Sequence, residues 1–202
     1  MTSNRESVGA AVREQRVVAI VREPSGAAAL ERAVALVEAG ARVVEISLTT
    51  PDALPALTEL ASRAGDAVVG AGTVLDTDDA ERSIAAGARF LVAPTLSVPV
   101  IELAVAADIA VVPGAATPTE MLAAHRAGAD FVKIFPASVW TPKAVQDLLA
   151  ALPQLRLVPT GGVSLATAPD WIRAGAAAVG MGSALSAETL ADLLRSLEPP
   201  CA

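Results

Sequence analysis

Apolar positions along this chain follow two alternating rhythms. Short runs rich in Val and Ile recur as VVAIV (17–21), VVEIS (43–47), AVVGA (67–71), FLVA (90–93), IAVV (109–112), FVKIF (131–135), RLVPT (156–160) and AAVGM (177–181). Such runs, bounded by turn residues, read as buried strands. Between them lie stretches with helical spacing of the apolar residues, such as AAALERAVALVEAG and PTEMLAAHRAG. Gly40, Gly87, Gly128 and Gly175 each stand where such a stretch ends and the next strand is near. That is the usual signature of a helix C-terminus.

Eight strand–helix units therefore follow one another. Alternation of this kind requires parallel strands with right-handed crossovers. The pattern predicts an α/β protein, a TIM-type (β/α)8 barrel, over a single domain spanning 1–202. An open doubly wound sheet is the second choice, and no GxGxxG follows the first strand to support it. Residues 3–15 predict an additional short N-terminal helix, placed over the bottom of the barrel.

Composition narrows the partners. The formal charge is −7 and the sequence pI about 4.7. Nucleic acid and anionic membrane surfaces both call for a basic patch, so neither is expected. No run approaches the roughly 18 apolar residues of a membrane span, and the N-terminus lacks the apolar core of a signal peptide. A cytoplasmic location is the default expectation. Cys201 is the sole cysteine and has no partner for an internal disulfide. Aromatic residues make up only 2% of the chain, which leaves packing to Ala, Val and Leu.

In a (β/α)8 barrel the working residues gather at the C-terminal ends of the strands. Lys133 lies in FVKIF, where it shares a face with Phe131 and Phe135, opposite Val132 and Ile134. The β-branched face should meet the helices, which turns Lys133 inward. Burial lowers the pKa of an amine, and a neutral amine is the nucleophile that carbonyl substrates need. Lys133 and Lys143 are the only lysines among 15 basic residues; elsewhere the chain uses Arg, which forms no imine. The same parity turns Glu45 inward, as a proton shuttle beside the amine, with an ion pair to Lys133 inside the barrel or to Arg22 at its mouth as the alternatives. Arg22 ends the first strand and reads equally as a carboxylate-binding fork or as a member of an ion pair.

PTGGV follows the seventh strand and GMGSAL the eighth. Those two loops usually form the phosphate cradle of such barrels. Gly161, Gly162 and Gly182 let backbone N–H groups come close to an oxyanion, and Ser183 is expected to cap the last helix. His125, the only histidine, falls at the end of a helical stretch, away from the strand ends. With one histidine and no cysteine pair, no His- or thiolate-based metal site is expected, and the chemistry calls for no cofactor.

In family order, VVAIVR, VVEIS, VGAGTVLD, VAPTLS, VPGAATPTE, FVKIFPA, PTGGV and GMGSAL cover roughly residues 17–186. In these segments the chain resembles the 2-keto-3-deoxy-6-phosphogluconate (KDPG) aldolases, class I imine-forming enzymes that include 4-hydroxy-2-oxoglutarate aldolase. The resemblance implies that Lys133 forms the imine and Glu45 is the general acid and base. It implies further that Thr73 and an arginine hold the substrate carboxylate, that Pro94 and Phe135 wall the pyruvyl pocket, and that Thr160 meets a hydroxyl. Gly161, Gly162 and Ser183 would bind the phosphate of a small anionic keto acid, in a homotrimer. Many members carry Arg four residues after the glutamate, where this chain has Thr49. In another branch an arginine ending the first strand does that work, and Arg22 matches it. Trp140 departs from the family as well, and the short segment after GSAL implies a minimal last helix. Two other functions compete: a phosphosugar isomerase or synthase using Lys133 as an acid or clamp, and a non-catalytic assembly subunit.

Overall fold

Each of the eight apolar runs contributes to one parallel sheet that curls until its edges meet. The computed structural model describes residues 2–197; Cys201 lies outside the described residues. The strands are β1 (Val17–Val21), β2 (Val43–Ser47), β3 (Val68–Gly72), β4 (Phe90–Val92), β5 (Ala110–Val112), β6 (Gly114–Ala115), β7 (Val132–Ile134), β8 (Leu157–Pro159) and β9 (Val179–Met181). Six pair in the order β5-β4-β3-β2-β1-β9 and three in the order β6-β7-β8, all in parallel. At one seam the fifth stave runs on from β5 through Pro113 into β6. At the other, the Ala177 N–H donates to the Leu157 carbonyl at 2.9 Å, and Thr160 bridges to Gly180. The barrel is closed.

The fifth stave departs from the expected single strand. Pro113 has no N–H to give the ladder, so the strand is interrupted there. Its carbonyl still accepts from the Lys133 N–H at 2.9 Å.

The helices are α1 (Asn4–Gln15), α2 (Gly26–Glu38), α3 (Ala53–Arg63), α4 (Thr77–Ala85), α5 (Val98–Ala106), α6 (Pro118–Arg126), α7 (Pro142–Ala151), α8 (Ala168–Arg173) and α9 (Ala187–Leu197). At eleven residues α9 is not the minimal helix expected. Among the described residues no helix is long and apolar enough to cross a membrane. Helices α2, α4, α6 and α8 end in one motif. Gly40 shows it: its N–H donates to Val37, and the Ala41 N–H reaches back to Leu36 at 2.8 Å. After α5 the same turn is made by Asp108, at φ 56°.

Val44, Ile46, Val132 and Ile134 pack outward on the helices, whereas Val18, Val43, Phe90, Phe131 and Val158 form a separate cluster inside the barrel. Phe90 reaches across to β3, where a methyl on Gly70 would stand 2.5 Å from its ring. Val8, Ala11 and Val12 of α1 join this inner cluster and close the floor. Burying each valine there contributes roughly 1.5–3 kcal/mol. α1 is held by its own capping box at Ser3 and by the Asp108 carboxylate, which accepts from the Asn4 N–H at 2.8 Å.

Candidate active site

The inner cluster continues up to the ends of β4 and β5, and a small cavity lies within its upper part. Val18, Ile20, Val92, Val112 and Val158 form its apolar wall, with Glu45, Lys133, Thr160 and Gly180 completing it. Lys133 is only 6% exposed and Glu45 only 2%. Both point inward, as the strand parity requires.

Neither side chain makes a hydrogen bond or ion pair among the described residues; Oε2 of Glu45 is buried with no partner. A short Lys133–Glu45 ion pair is therefore not what fills the barrel. Burial dominates the titration of both groups. It pushes the Lys133 amine down, against the opposing pull of Glu45, and the charge of Arg22 pushes the same way as burial. Burial lifts the Glu45 carboxyl, while Lys133 and Arg22 pull it down. Each is driven toward its neutral form because an unsolvated charge is costly. The Lys133 Nζ lies 4.8 Å from the centroid of the Phe135 ring.

Above Glu45 runs a chain of hydroxyls. The Arg22 Nε donates to Thr49 Oγ1 at 3.1 Å, Thr49 meets Ser47 Oγ at 2.9 Å, and Ser47 meets Thr73 Oγ1 at 2.8 Å. Arg22 is thus held by a hydroxyl, and the Glu45 ion pair weighed for it does not form. Ser47 is fully buried and sits two residues after Glu45 on the same face. That shared parity was the signal that could have singled it out. Thr73 adopts φ 65°, a left-handed backbone at the end of β3.

Thr160 is buried against Gly180, where no side chain would fit, and its hydroxyl donates to the Val158 carbonyl at 3.1 Å. Pro94, two residues past β4, is half-buried with its carbonyl packed on Gly114, and it does not line the Lys133 cavity expected of it. Gly161 and Gly162 follow Thr160 with φ 81° and 91°, and Gly161 adjoins the Phe135 ring. Gly182 and the exposed Ser183 stand beside them, after the neighbouring β9, in a turn closed by the Leu185 N–H to the Gly182 carbonyl at 3.0 Å. Among the described residues the N–H groups of Gly161, Gly162, Gly182 and Ser183 donate to no protein acceptor. Unspent donors in two adjacent loops at a barrel mouth suit an anion.

Ser183 does not cap the last helix. α9 starts at Ala187, and Ser186 accepts from the Thr189 N–H at 3.3 Å. The glycine pattern fixed the loop correctly, but two serines three residues apart offered the same cap. His125 lies in the last turn of α6, at the far end of the barrel. Among the described residues no three His, Cys, Asp or Glu side chains gather as a metal site.

Comparisons with known proteins agree with this fold. The family model described as KDPG and KHG aldolase matches residues 8–194. A probable 2-dehydro-3-deoxy-6-phosphogalactonate aldolase of Rhizobium meliloti is 39% identical over 153 residues, 75% of this chain and 72% of that protein. The KHG/KDPG aldolase of Escherichia coli K12 is 36% identical over 145 residues, 71% of this chain and 68% of its own length. A solved structure described as native KDPGal superposes with a TM-score of 0.81 at 34% identity, covering 90% of this chain and 91% of that one. With a family model spanning nearly the whole barrel and relatives above 35% identity, the chain belongs to the KDPG and KHG aldolase family.

Proposed function

We propose that this protein is a class I aldolase that reversibly cleaves 2-keto-3-deoxy-6-phosphogluconate, or its C4 epimer, to pyruvate and glyceraldehyde 3-phosphate through an imine on Lys133. The observation that carries this reading is the pairing of a buried amine and a buried carboxyl in one apolar cavity, each driven toward its neutral form.

The neutral Lys133 amine attacks the C2 carbonyl of the keto acid and gives a carbinolamine. Protonated Glu45 donates to the departing hydroxyl, which leaves as water and generates the iminium. The resulting carboxylate takes the proton of the C4 hydroxyl, directly or through a water. The C3–C4 bond then breaks, its electron pair flows into the iminium, and the aldehyde forms. Protonation of the enamine at C3 and hydrolysis release pyruvate and restore both groups. Arg22 and Thr73 hold the keto-acid carboxylate, Thr160 meets a hydroxyl, and Phe135 bounds the pyruvyl end; Pro94, outside the Lys133 cavity, is left without the walling role the resemblance implies. Gly161, Gly162, Gly182 and Ser183 hold the phosphate. The family resemblance extends the proposal to a homotrimer and to some turnover of 4-hydroxy-2-oxoglutarate.

Two features bring the galactonate-derived epimer into the proposal. Thr49 occupies the position of the family's frequent arginine and holds Arg22 instead, and the 39%-identical relative is named for phosphogalactonate.

Pyruvate with borohydride tests the central claim. A reduced pyruvyl adduct is expected on Lys133 and not on Lys143, an exposed lysine paired with Asp147 that serves as internal control. No adduct, or one on Lys143 alone, would overturn the imine mechanism. Cleavage assays on both phosphorylated epimers and 4-hydroxy-2-oxoglutarate then rank the substrates.

A further inference from the structure

The turn that carries Gly182 and Ser183 is braced from behind. Arg32 of α2 donates from one terminal nitrogen to the carbonyls of Gly182 at 2.8 Å and Leu185 at 3.0 Å. Its other terminal nitrogen pairs with the Glu23 carboxylate at 2.5 Å. Glu23 is itself anchored, since its N–H donates to the buried Thr50 hydroxyl at 3.2 Å. A planar guanidinium is suited to this task, because its fork fixes two acceptors and a counter-charge in one plane.

The orientation has a consequence for the cradle. Both carbonyls that would repel an anion are drawn back onto Arg32. The N–H groups of Gly182 and Ser183 donate to no protein acceptor among the described residues. The guanidinium itself is part-buried behind the turn, with its charge balanced by Glu23.

We propose that Arg32 is a positioning residue for the phosphate end of the substrate, setting the enzyme's preference for phosphorylated keto acids by fixing the Gly182–Leu185 turn. Arg32 acts through that turn and does not touch the reacting carbons. The inference rests on the aldolase reading for the identity of the substrate, and on the geometry of the turn for the phosphate.

Wild type, Arg32→Gln and Arg32→Lys are compared on three readouts. These are cleavage of the phosphorylated keto acid, exchange of pyruvate methyl protons into heavy water, and the rise of Tm in inorganic phosphate. Arg32→Gln should raise KM for the phosphorylated substrate by about tenfold or more, the scale of a lost charge-assisted hydrogen bond. Pyruvate exchange, which involves no phosphate, should change by less than about twofold. Phosphate should raise the Tm of wild type but not of Arg32→Gln, since a ligand stabilises only the state that binds it. Arg32→Lys, which keeps the charge without the fork, should fall between the two, and it decides the matter if Arg32→Gln does not fold. Equal losses in cleavage and exchange would make Arg32 merely structural and overturn the proposal. An unchanged KM with the phosphate shift retained would overturn it too. If wild type fails to exchange pyruvate protons, the aldolase reading falls separately, and the phosphate shift alone decides the role of Arg32.

Discussion

A methyl group on Gly72 would stand 2.6 Å from Oε1 of Glu45. The absence of a side chain on β3 is thus what lets a carboxyl from β2 lie in the cavity. Gly72→Ala is expected to push that carboxyl out of place while the strand ladder persists. Overpacking of this kind costs about 1–3 kcal/mol, so the variant should fold with a lowered Tm. A misplaced acid–base group should lower kcat by about a hundredfold. Steady-state kinetics beside thermal unfolding check this, and a wild-type kcat would show that the carboxyl position does not matter.

Glu45 also makes stability depend on pH in a predictable direction. Its folded pKa is raised, so the native state binds a proton more tightly than the unfolded chain does. Relative to Glu45→Gln, the wild type is at its best below the ordinary carboxyl value of 4.5 and loses stability as pH rises toward the folded pKa. The stability gap in favour of Glu45→Gln should therefore be wider at pH 8 than at pH 4, on the order of 1 kcal/mol or more. Urea unfolding of both proteins at the two pH values measures it. A gap that narrows with rising pH would contradict the sign.

Ser47 is the hub between Thr49, which holds Arg22, and Thr73. Ser47→Ala removes both hydroxyl contacts at once and frees Arg22 and Thr73, the side chains proposed to hold the carboxylate, to rotate. The KM for pyruvate in the condensation direction is expected to rise about three- to tenfold, while borohydride still traps an adduct on Lys133. Loss of trapping would instead tie Ser47 to the amine.

Where side-chain parity along a strand carries the information, the residues themselves announced the outcome. Lys133 and Glu45 face inward because their neighbours Val132, Ile134, Val44 and Ile46 belong to the helix-facing side. Gly40, Gly87, Gly128 and Gly175 likewise marked helix ends. Asp108 did not, because an aspartate in a left-handed turn makes sense only once its carboxylate is seen beneath α1. Arg32 was equally silent: its acceptors lie 150 and 153 positions away, and no local pattern links them. The hydroxyl chain from Arg22 to Thr73 crosses three strand ends and needs their register before it can be seen. The break at Pro113 was legible in principle, since proline interrupts a ladder wherever it falls.

Sealing of the barrel floor by Val8 and Val12 has a kinetic consequence. A vessel with one opening imposes last-in, first-out traffic on whatever it holds. On the proposed reading, in which the keto acid is tethered at the deep end through Lys133 with its phosphate near the rim, the aldehyde fragment would depart before the pyruvyl fragment could be released. In the synthetic direction the sequence reverses, and aldehyde supplied ahead of pyruvate should obstruct the passage it needs.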